Sequence, residues 1–372
     1  MQQLELLSII GIITTFISLL LAFFIFSVAS KNRISNKLFA SYLIFNAIEY
    51  TGFFTSLLFN EPNNLLVASR ELSYLQMPFF YLYILSVCYS DFKLQWKHLW
   101  HITPYLIGNL VMTPRFYFGS TVEKNLLFQN FNTLYESYFA HIALHLQSII
   151  YITAGFIVLN RAKKIFVENY SSNTIETYKW LFQLLLFTAI LYSLAIVKNV
   201  FKFFGDDQYF DISYTLLTII VLCFVCWYVL KALKYPNLFN GVDSRTQLIT
   251  EFKEEAQKSN IDVREIQQLT AYMENEKPYL NPSLTIRNLA EEIKMNSRDL
   301  SVLINQHLNQ HFFDFVNEYR IKEAMSLLKN ASKKESTVLE ILYEVGFNSK
   351  SSFNTAFKKH TGFTPTHFRN KL

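Results

Sequence analysis

Seven apolar stretches, separated by polar and charge-bearing gaps, fill the first 234 positions of the chain: residues 6–29, 38–59, 72–89, 99–112, 138–159, 180–197 and 212–230. A helix needs about 20 apolar residues, and no fewer than about 17, to cross the hydrocarbon core of a bilayer. Five stretches reach or approach that length. The third is interrupted by Pro78, and the fourth is short and carries Pro104. The pattern predicts a bundle of seven transmembrane helices.

The gaps carry charge in alternation. Eleven basic residues (Lys31, Arg33, Lys37, Lys93, Lys97, Arg161, Lys163, Lys164, Lys179, Lys231 and Lys234) fall in the odd-numbered gaps and after the last stretch, against five in the even ones (Arg70, Arg115, Lys124, Lys198 and Lys202). Basic residues stay on the cytoplasmic side, so the expectation is an N-terminus outside and a C-terminus in the cytoplasm. The leading MQQLEL holds Glu5 and no basic residue, unlike a cleaved secretory signal, and predicts a retained anchor.

Beyond residue 234 the texture changes. YPNLFNGVDSR is a turn-rich exit. From Gln247 the chain is charged, and Val263, Ile266, Leu269 and Met273 recur at near-helical spacing, predicting a helix packed on the domain C-terminal to it. The expected division is 1–234, a linker at 235–280, and a domain at 281–372.

That last domain is written twice. Thr285 can cap a helix bearing Ile286, Leu289, Ala290 and Ile293; a turn comes next at 294–296, and Ser297 can cap a second helix with Leu300, Leu303 and Ile304 inward. In the second copy Thr337 and Glu340 form a capping-box pattern. Val338, Ile341, Leu342 and Val345 come after it, then a turn at Gly346 and a helix with Phe353, Ala356 and Phe357 inward. The first helices match at an offset of 52 and the second helices at 53, so the second turn is one residue longer. Residues 313–328 read as a connecting helix. The fold class is all-α: a seven-helix membrane bundle followed by two helix-turn-helix units.

With Phe353, Ala356 and Phe357 inward, Lys350, Ser351, Asn354, Thr355 and Lys358 share the opposite face. Lysine suits phosphate; Asn, Ser and Thr can bond base edges. The corresponding outward set of the first copy is Arg298, Ser301, Val302 and Asn305, where Val302 offers only apolar contact, such as to a thymine methyl. From Val345 onward there are five basic residues and no acid, so positive charge is focused on the second unit.

The run ILYEVGFNSKSSFNTAFKKHTGFTPTHFR resembles the C-terminal signature of the AraC/XylS family of bacterial transcription regulators, and LTIRNLAEEIKMNSRDLSVLINQHLNQHFFDFVNEYRIKEAMSLL resembles that family's first unit and linker helix. The resemblance covers about the last 90 residues. It implies a bipartite DNA-binding domain with each recognition helix in a major groove, a tight turn at Gly346, and a last helix starting at Thr364–Pro365. Leu342 departs from the family, many members of which carry a small Ala there. The N-terminal half is unlike the sugar-binding barrel of the founding members. Its architecture is similar to membrane-embedded regulators in which a multi-span segment precedes such a domain.

Composition agrees with an apolar half: 51% hydrophobic, 17% aromatic and 17% charged, with 36 Phe and nine Gly. Net charge is +5, too small to argue for nucleic acid without its location. Cys88, Cys223 and Cys226 lie in apolar stretches and imply neither a disulfide framework nor thiolate chemistry. Glu49, midway along the second stretch, and His141 and His145, one turn apart at the outer end of the fifth, are the candidates for signal sensing. Two histidines without a third ligand do not make a metal site. No catalytic constellation is present, so the expectation is not an enzyme, without cofactor or metal. The function expected is a one-component, membrane-tethered regulator in the bacterial cytoplasmic membrane. Its partners would be double-stranded promoter DNA, the lipid bilayer, a second copy in a homodimer, the transcription machinery and an unknown signal. The alternative is a multi-span transporter or receptor with an AraC-like regulatory tail.

Overall fold

The computed structural model describes residues 2–27, 33–54, 64–171, 175–205, 207–234, 263–330 and 335–371. They are helical, with no β-strand among the described residues. The chain divides into two compact units, Met1–Leu159 with Lys179–Gly241, and Asn160–Tyr178 with Val242–Leu372. Of the expected linker at 235–280, residues 235–262 lie outside the described residues. Residues 160–178, which the apolar pattern marks only as a gap between stretches, belong with the C-terminal unit.

The first unit takes the apolar stretches in order: α1 (Gln2–Ser27), α2 (Arg33–Tyr50), α3 (Asn64–Glu71), α4 (Gln76–Cys88), α5 (Thr103–Met112), α6 (Thr121–Gln129), α7 (Tyr135–Asn169), α8 (Ile175–Phe204) and α9 (Asp207–Lys234). Four of these helices are long and apolar enough to cross a membrane, with spans at Glu5–Ser27, Tyr135–Asn169, Tyr178–Phe204 and Asp207–Lys231. The other three expected spans differ from single apolar helices for visible reasons. α2 has 18 residues and carries Arg33, Asn36, Lys37, Asn46 and Glu49. α3 and α4 are joined by a 3-10 segment at Leu72–Leu75. α5 runs out of a 3-10 segment at Trp96–Ile102 and into a π turn at Thr113–Tyr117 that contains Pro114.

Pro78 does not break its helix, because it sits in the first turn of α4, where its missing N–H has no helical partner to lose. The Tyr74 carbonyl, four residues earlier, is bonded instead by the Gln147 amide at 2.8 Å. Aromatic stacking joins α2 to α4, with Phe39 on Tyr83 at 4.6 Å and Tyr42 on Phe80 at 4.9 Å between ring centres. The long helices turn bulky apolar side chains outward: Phe23 is 71% exposed, Ile142 64% and Leu230 69%.

In the second unit, α10 (Val263–Asn275) buries Leu269 and Met273 completely in the first of two cores, as its apolar face predicts. α11 (Ile286–Glu292) and α12 (Ser297–Val302) form the first helix pair. α13 (Phe312–Lys329) comes next, and α14 (Val338–Glu344), α15 (Lys350–Thr361) and α16 (Pro365–Asn370) complete the domain. One end of α13 (Phe312, Phe315, Val316) belongs to the first core and the other (Ile321, Ala324, Leu328) to the second.

Candidate nucleic-acid interface

The local signals for the second pair hold. Thr337 Oγ1 accepts from Glu340 N at 3.1 Å, while the Glu340 carboxylate accepts from Thr337 N at 2.6 Å, closing the capping box. Gly346 turns the chain at φ +86°, and a Cβ there would lie 2.7 Å from the carbonyl oxygens of Tyr279 and Leu280. Only glycine tolerates both the conformation and the approach. α15 then presents Phe353 and Phe357 inward, fully buried. Leu342 is also fully buried, so the core accommodates the larger side chain at this position. Gly362, at φ +77°, ends α15, and Thr364 caps α16 with Pro365 in its first turn.

On the other face of α15, Lys350, Ser351, Thr355 and Lys358 are exposed and Asn354 is half-buried. These five residues share one surface. Lys359 beside them is engaged with Asp314 of α13 at 2.6 Å, which ties α15 to the connecting helix.

The first pair departs from its expected form. Its cap is Asn296, one residue before the expected Ser297: the Asn side-chain carbonyl accepts from Arg298 N, two residues on, at 2.9 Å. Its turn puts Lys294, not glycine, at φ +59°. α12 has six residues and passes into a π turn at Leu303–His307, after which Leu308 N and Gln310 N fold back onto the carbonyls of Leu303 and Ile304.

The outward set of this copy needs correction. Ser301 is 7% and Val302 2% exposed, within five positions, 300–304, that fall among the buried or half-buried residues. The first half of the short helix is exposed or half-buried and its second half buried, so it lacks the clean two-faced pattern of α15. The apolar core takes Leu300, Leu303 and Ile304 from this segment. Asn305 is half-buried; its amide donates to Ser301 O at 2.9 Å, and its oxygen meets His311 Nδ1 at 3.0 Å. Arg298 is half-buried. Asp299, Gln306 and His307 are the polar groups nearby.

Of the candidates for sensing, Glu49 and His141 line one cavity and His145 does not. Glu49 accepts a bond from the Gln76 amide. His141 bonds Ser137 O through Nδ1 at 2.8 Å and Lys202 through Nε2 at 3.2 Å, whereas His145 Nε2 meets the Asn199 amide at 2.7 Å. The two histidines therefore serve different residues of α8.

Sequence reasoning missed Arg320. It is 1% exposed and donates to Tyr279 O at 2.7 Å, Asn281 O at 2.8 Å, Ser171 O at 2.8 Å and Ser171 Oγ at 3.2 Å. The readable signal was its place in α13, on the four-residue steps Val316, Arg320, Ala324, Leu328, an apolar stripe interrupted by one charge.

Two helix-turn-helix pairs sharing one connecting helix define the class of the C-terminal unit. Residues 289–371 match the family model described as a helix-turn-helix domain. The chain is 34% identical over 93 residues to the transcriptional regulatory protein YesN of Bacillus subtilis, covering 24% of this chain and 25% of that protein. It is 28% identical over 87 residues to the melibiose operon regulatory protein of Escherichia coli (strain K12), covering 23% and 28%. It is also 32% identical over 104 residues to an HTH-type transcriptional regulator from the cgkA 5′ region of Pseudoalteromonas carrageenovora, covering 28% and 58%. The C-terminal domain is a helix-turn-helix domain of the AraC type. The chain spans about a quarter of the length of the first two relatives. No solved structure matches it.

Proposed function

We propose that the chain is a membrane-tethered, one-component transcription regulator of the bacterial cytoplasmic membrane and not an enzyme. It binds promoter DNA through its two helix-turn-helix units under control of a signal received by the helical unit that precedes them. The observation that carries this reading is α15: a 12-residue helix with an exposed face of Lys350, Ser351, Thr355 and Lys358, in a domain of AraC type. The lysines neutralise phosphates while the hydroxyls and Asn354 read base edges. The first helix-turn-helix pair contributes Arg298 and Asn305, the members of its set that are half-buried. A homodimer would place two such domains on one promoter and present them to the transcription machinery.

Tethering is supported by the four long apolar helices and their outward Phe, Ile and Leu side chains. Trp96 and Trp100, 87% and 78% exposed, suit the interfacial aromatic belt of a bilayer. Seven crossings, with the C-terminal domain in the cytoplasm, keep the eleven basic gap residues on the cytoplasmic side. A signal would act by favouring one arrangement of the DNA-binding unit over another by a few kcal/mol. The segment 160–178, held inside that unit through Ser171, supplies a route besides the linker.

The test is binding of genomic DNA fragments to the full chain in lipid nanodiscs, followed by sequencing and a salt titration. Enrichment of discrete sites, with affinity falling steeply as salt rises, is the expected result. A chain that shows no salt-dependent DNA binding is not a regulator of this kind, and the transporter or receptor alternative then holds.

A further inference from the structure

A cavity of about 480 Å³ lies within the first unit, in the ~300–1,000 Å³ range of sites that enclose small molecules. α8 lines it from Thr188 through Leu191 and Ala195 to Lys198 and Lys202, in steps of three and four that keep one helix face on the cavity. α9 lines it from Tyr214 through Leu217, Val221 and Phe224 to Tyr228. The Lys198 ammonium stands 5.4 Å from the centre of the Tyr214 ring, which sets the lysine end of one stripe beside the start of the other. Each stripe covers fourteen residue steps, about 21 Å at ~1.5 Å per residue. The cavity is thus long and charged at one end, and toward Phe224 it is lined by Leu191, Leu217 and Val221 together with the rings of Tyr42, Tyr192 and Tyr228.

The charged end gathers Arg70, Lys198 and Lys202 with Glu49 and Glu71. Among the described residues no ion pair joins these cations to a carboxylate. Their direct contacts are with neutral groups, although Lys198 also feels the Glu49 carboxylate: Arg70 lies 5.6 Å from the Phe128 ring centre, Lys198 lies over Tyr214, and Lys202 donates to His141. Because Nδ1–H of His141 must donate to the Ser137 carbonyl, its Nε2 is the lone-pair acceptor for Lys202, and the imidazole is neutral. Glu49 is held by Gln76, whose own oxygen accepts from the Tyr192 hydroxyl at 3.1 Å. Three formal positive charges against two negative leave one in excess, with Lys198 and Lys202 half-buried and Arg70 exposed.

We propose that this cavity binds a monoanionic amphiphile, its charged head on Lys198 and Lys202 and its aliphatic tail along α8 and α9 toward Phe224. The inference rests on the reading of this unit as a sensor and names the class of its signal. A free long-chain carboxylate and an anionic phospholipid share this chemistry.

Labelled dodecanoate, equilibrated with the full chain in phosphatidylcholine nanodiscs and corrected for empty discs, tests the site. Saturable uptake of one molecule per chain is expected, displaced by decanoate but not by dodecyltrimethylammonium, which has the same tail and the opposite charge. Lys198→Gln with Lys202→Gln should weaken it by about tenfold or more. Uptake equal to that of empty discs overturns the proposal, as does uptake indifferent to head charge, a readout that needs no variant to fold. Discs containing phosphatidylglycerol separate the sources: loss of dodecanoate uptake assigns the site to a phospholipid, and unchanged uptake assigns it to a free amphiphile. DNA binding is read on the same discs. Uptake without DNA binding removes the regulator reading and leaves the site, whereas DNA binding without uptake removes the site alone.

Discussion

Arg320 donates from Nη1 to the carbonyl oxygen of Ser171 at 2.8 Å and from Nη2 to the Ser171 hydroxyl at 3.2 Å, across 149 positions of sequence. Burial pulls the guanidinium down to about 10, and it remains charged at neutral pH. Its fork also satisfies the carbonyls of Tyr279 and Asn281, so it holds three chain segments at once. Lysine cannot reproduce that planar set of donors. Arg320→Lys is expected to destabilise the second unit by about 2–4 kcal/mol, read as faster hydrogen exchange across residues 279–293.

Ser171→Ala should act more narrowly. Its hydroxyl donates to Leu284 O at 2.7 Å as well as accepting from Arg320, and its own N–H reaches Leu284 O at 3.2 Å. Losing the hydroxyl costs about 1–2 kcal/mol. Hydrogen exchange should quicken around residues 165–171 and 284–286 and stay unchanged in α14 and α15; a uniform change across both helix pairs would contradict this local role.

The two turns predict opposite responses. Gly346→Ala forces a side chain into a left-handed conformation against two carbonyl oxygens, at about 2 kcal/mol or more, with loss of DNA binding. Lys294→Gly, at φ +59° on an exposed residue, relieves about 1 kcal/mol of strain against a similar loss of chain entropy. Its thermal midpoint should stay within a few degrees of the parent.

On the face of α15 proposed to meet DNA, Lys358→Ala and Asn354→Ala should fail differently. Removing a phosphate contact weakens binding to all sequences alike and lowers the salt slope by about one. Removing a base-edge contact leaves that slope unchanged and relaxes preference at one position by about 1–3 kcal/mol. Salt titrations on matched and mismatched duplexes separate the two.

Acid should loosen α13. The Lys322 ammonium, 2.7 Å away, together with the Gln310 amide, holds the Glu318 carboxyl below its usual range. With the folded value depressed, this stabilisation is present above the ordinary carboxylate range and is lost as pH falls through the folded value. The pair is half-exposed, so its contribution is small. Glu318→Gln is expected to flatten the acid limb of a pH–stability curve without moving its plateau.

The second helix pair was legible because its signals are local. A capping box, a glycine turn and a phenylalanine stripe each act within one or two turns of helix, and Thr337, Gly346 and Phe353 sit where their chemistry requires. The first pair was less legible for the opposite reason: its second helix is half as long as α15 and passes into a π turn, and Val302 has little exposure where repeat symmetry sets an outward face. Arg320 and Ser171 meet only through tertiary folding, and the sole trace is a charge on an apolar stripe. Residues 72–117 are not continuous apolar helices: 3-10, α and π pieces follow one another there, with Pro104 and Pro114 in the first turns of two of them. Apolar length alone cannot register that.

α13 has a consequence for how the domain would search DNA. Two reading heads on a loose tether must surrender orientational freedom twice, once for each groove they enter. A helix of 18 residues, about 27 Å long, with its ends built into separate cores, removes the second loss before any duplex is met. The same stiffness forbids compromise. Inserting about five base pairs, half a helical turn, between half-sites turns one groove to the far side of the duplex, and binding should then collapse to that of a single head.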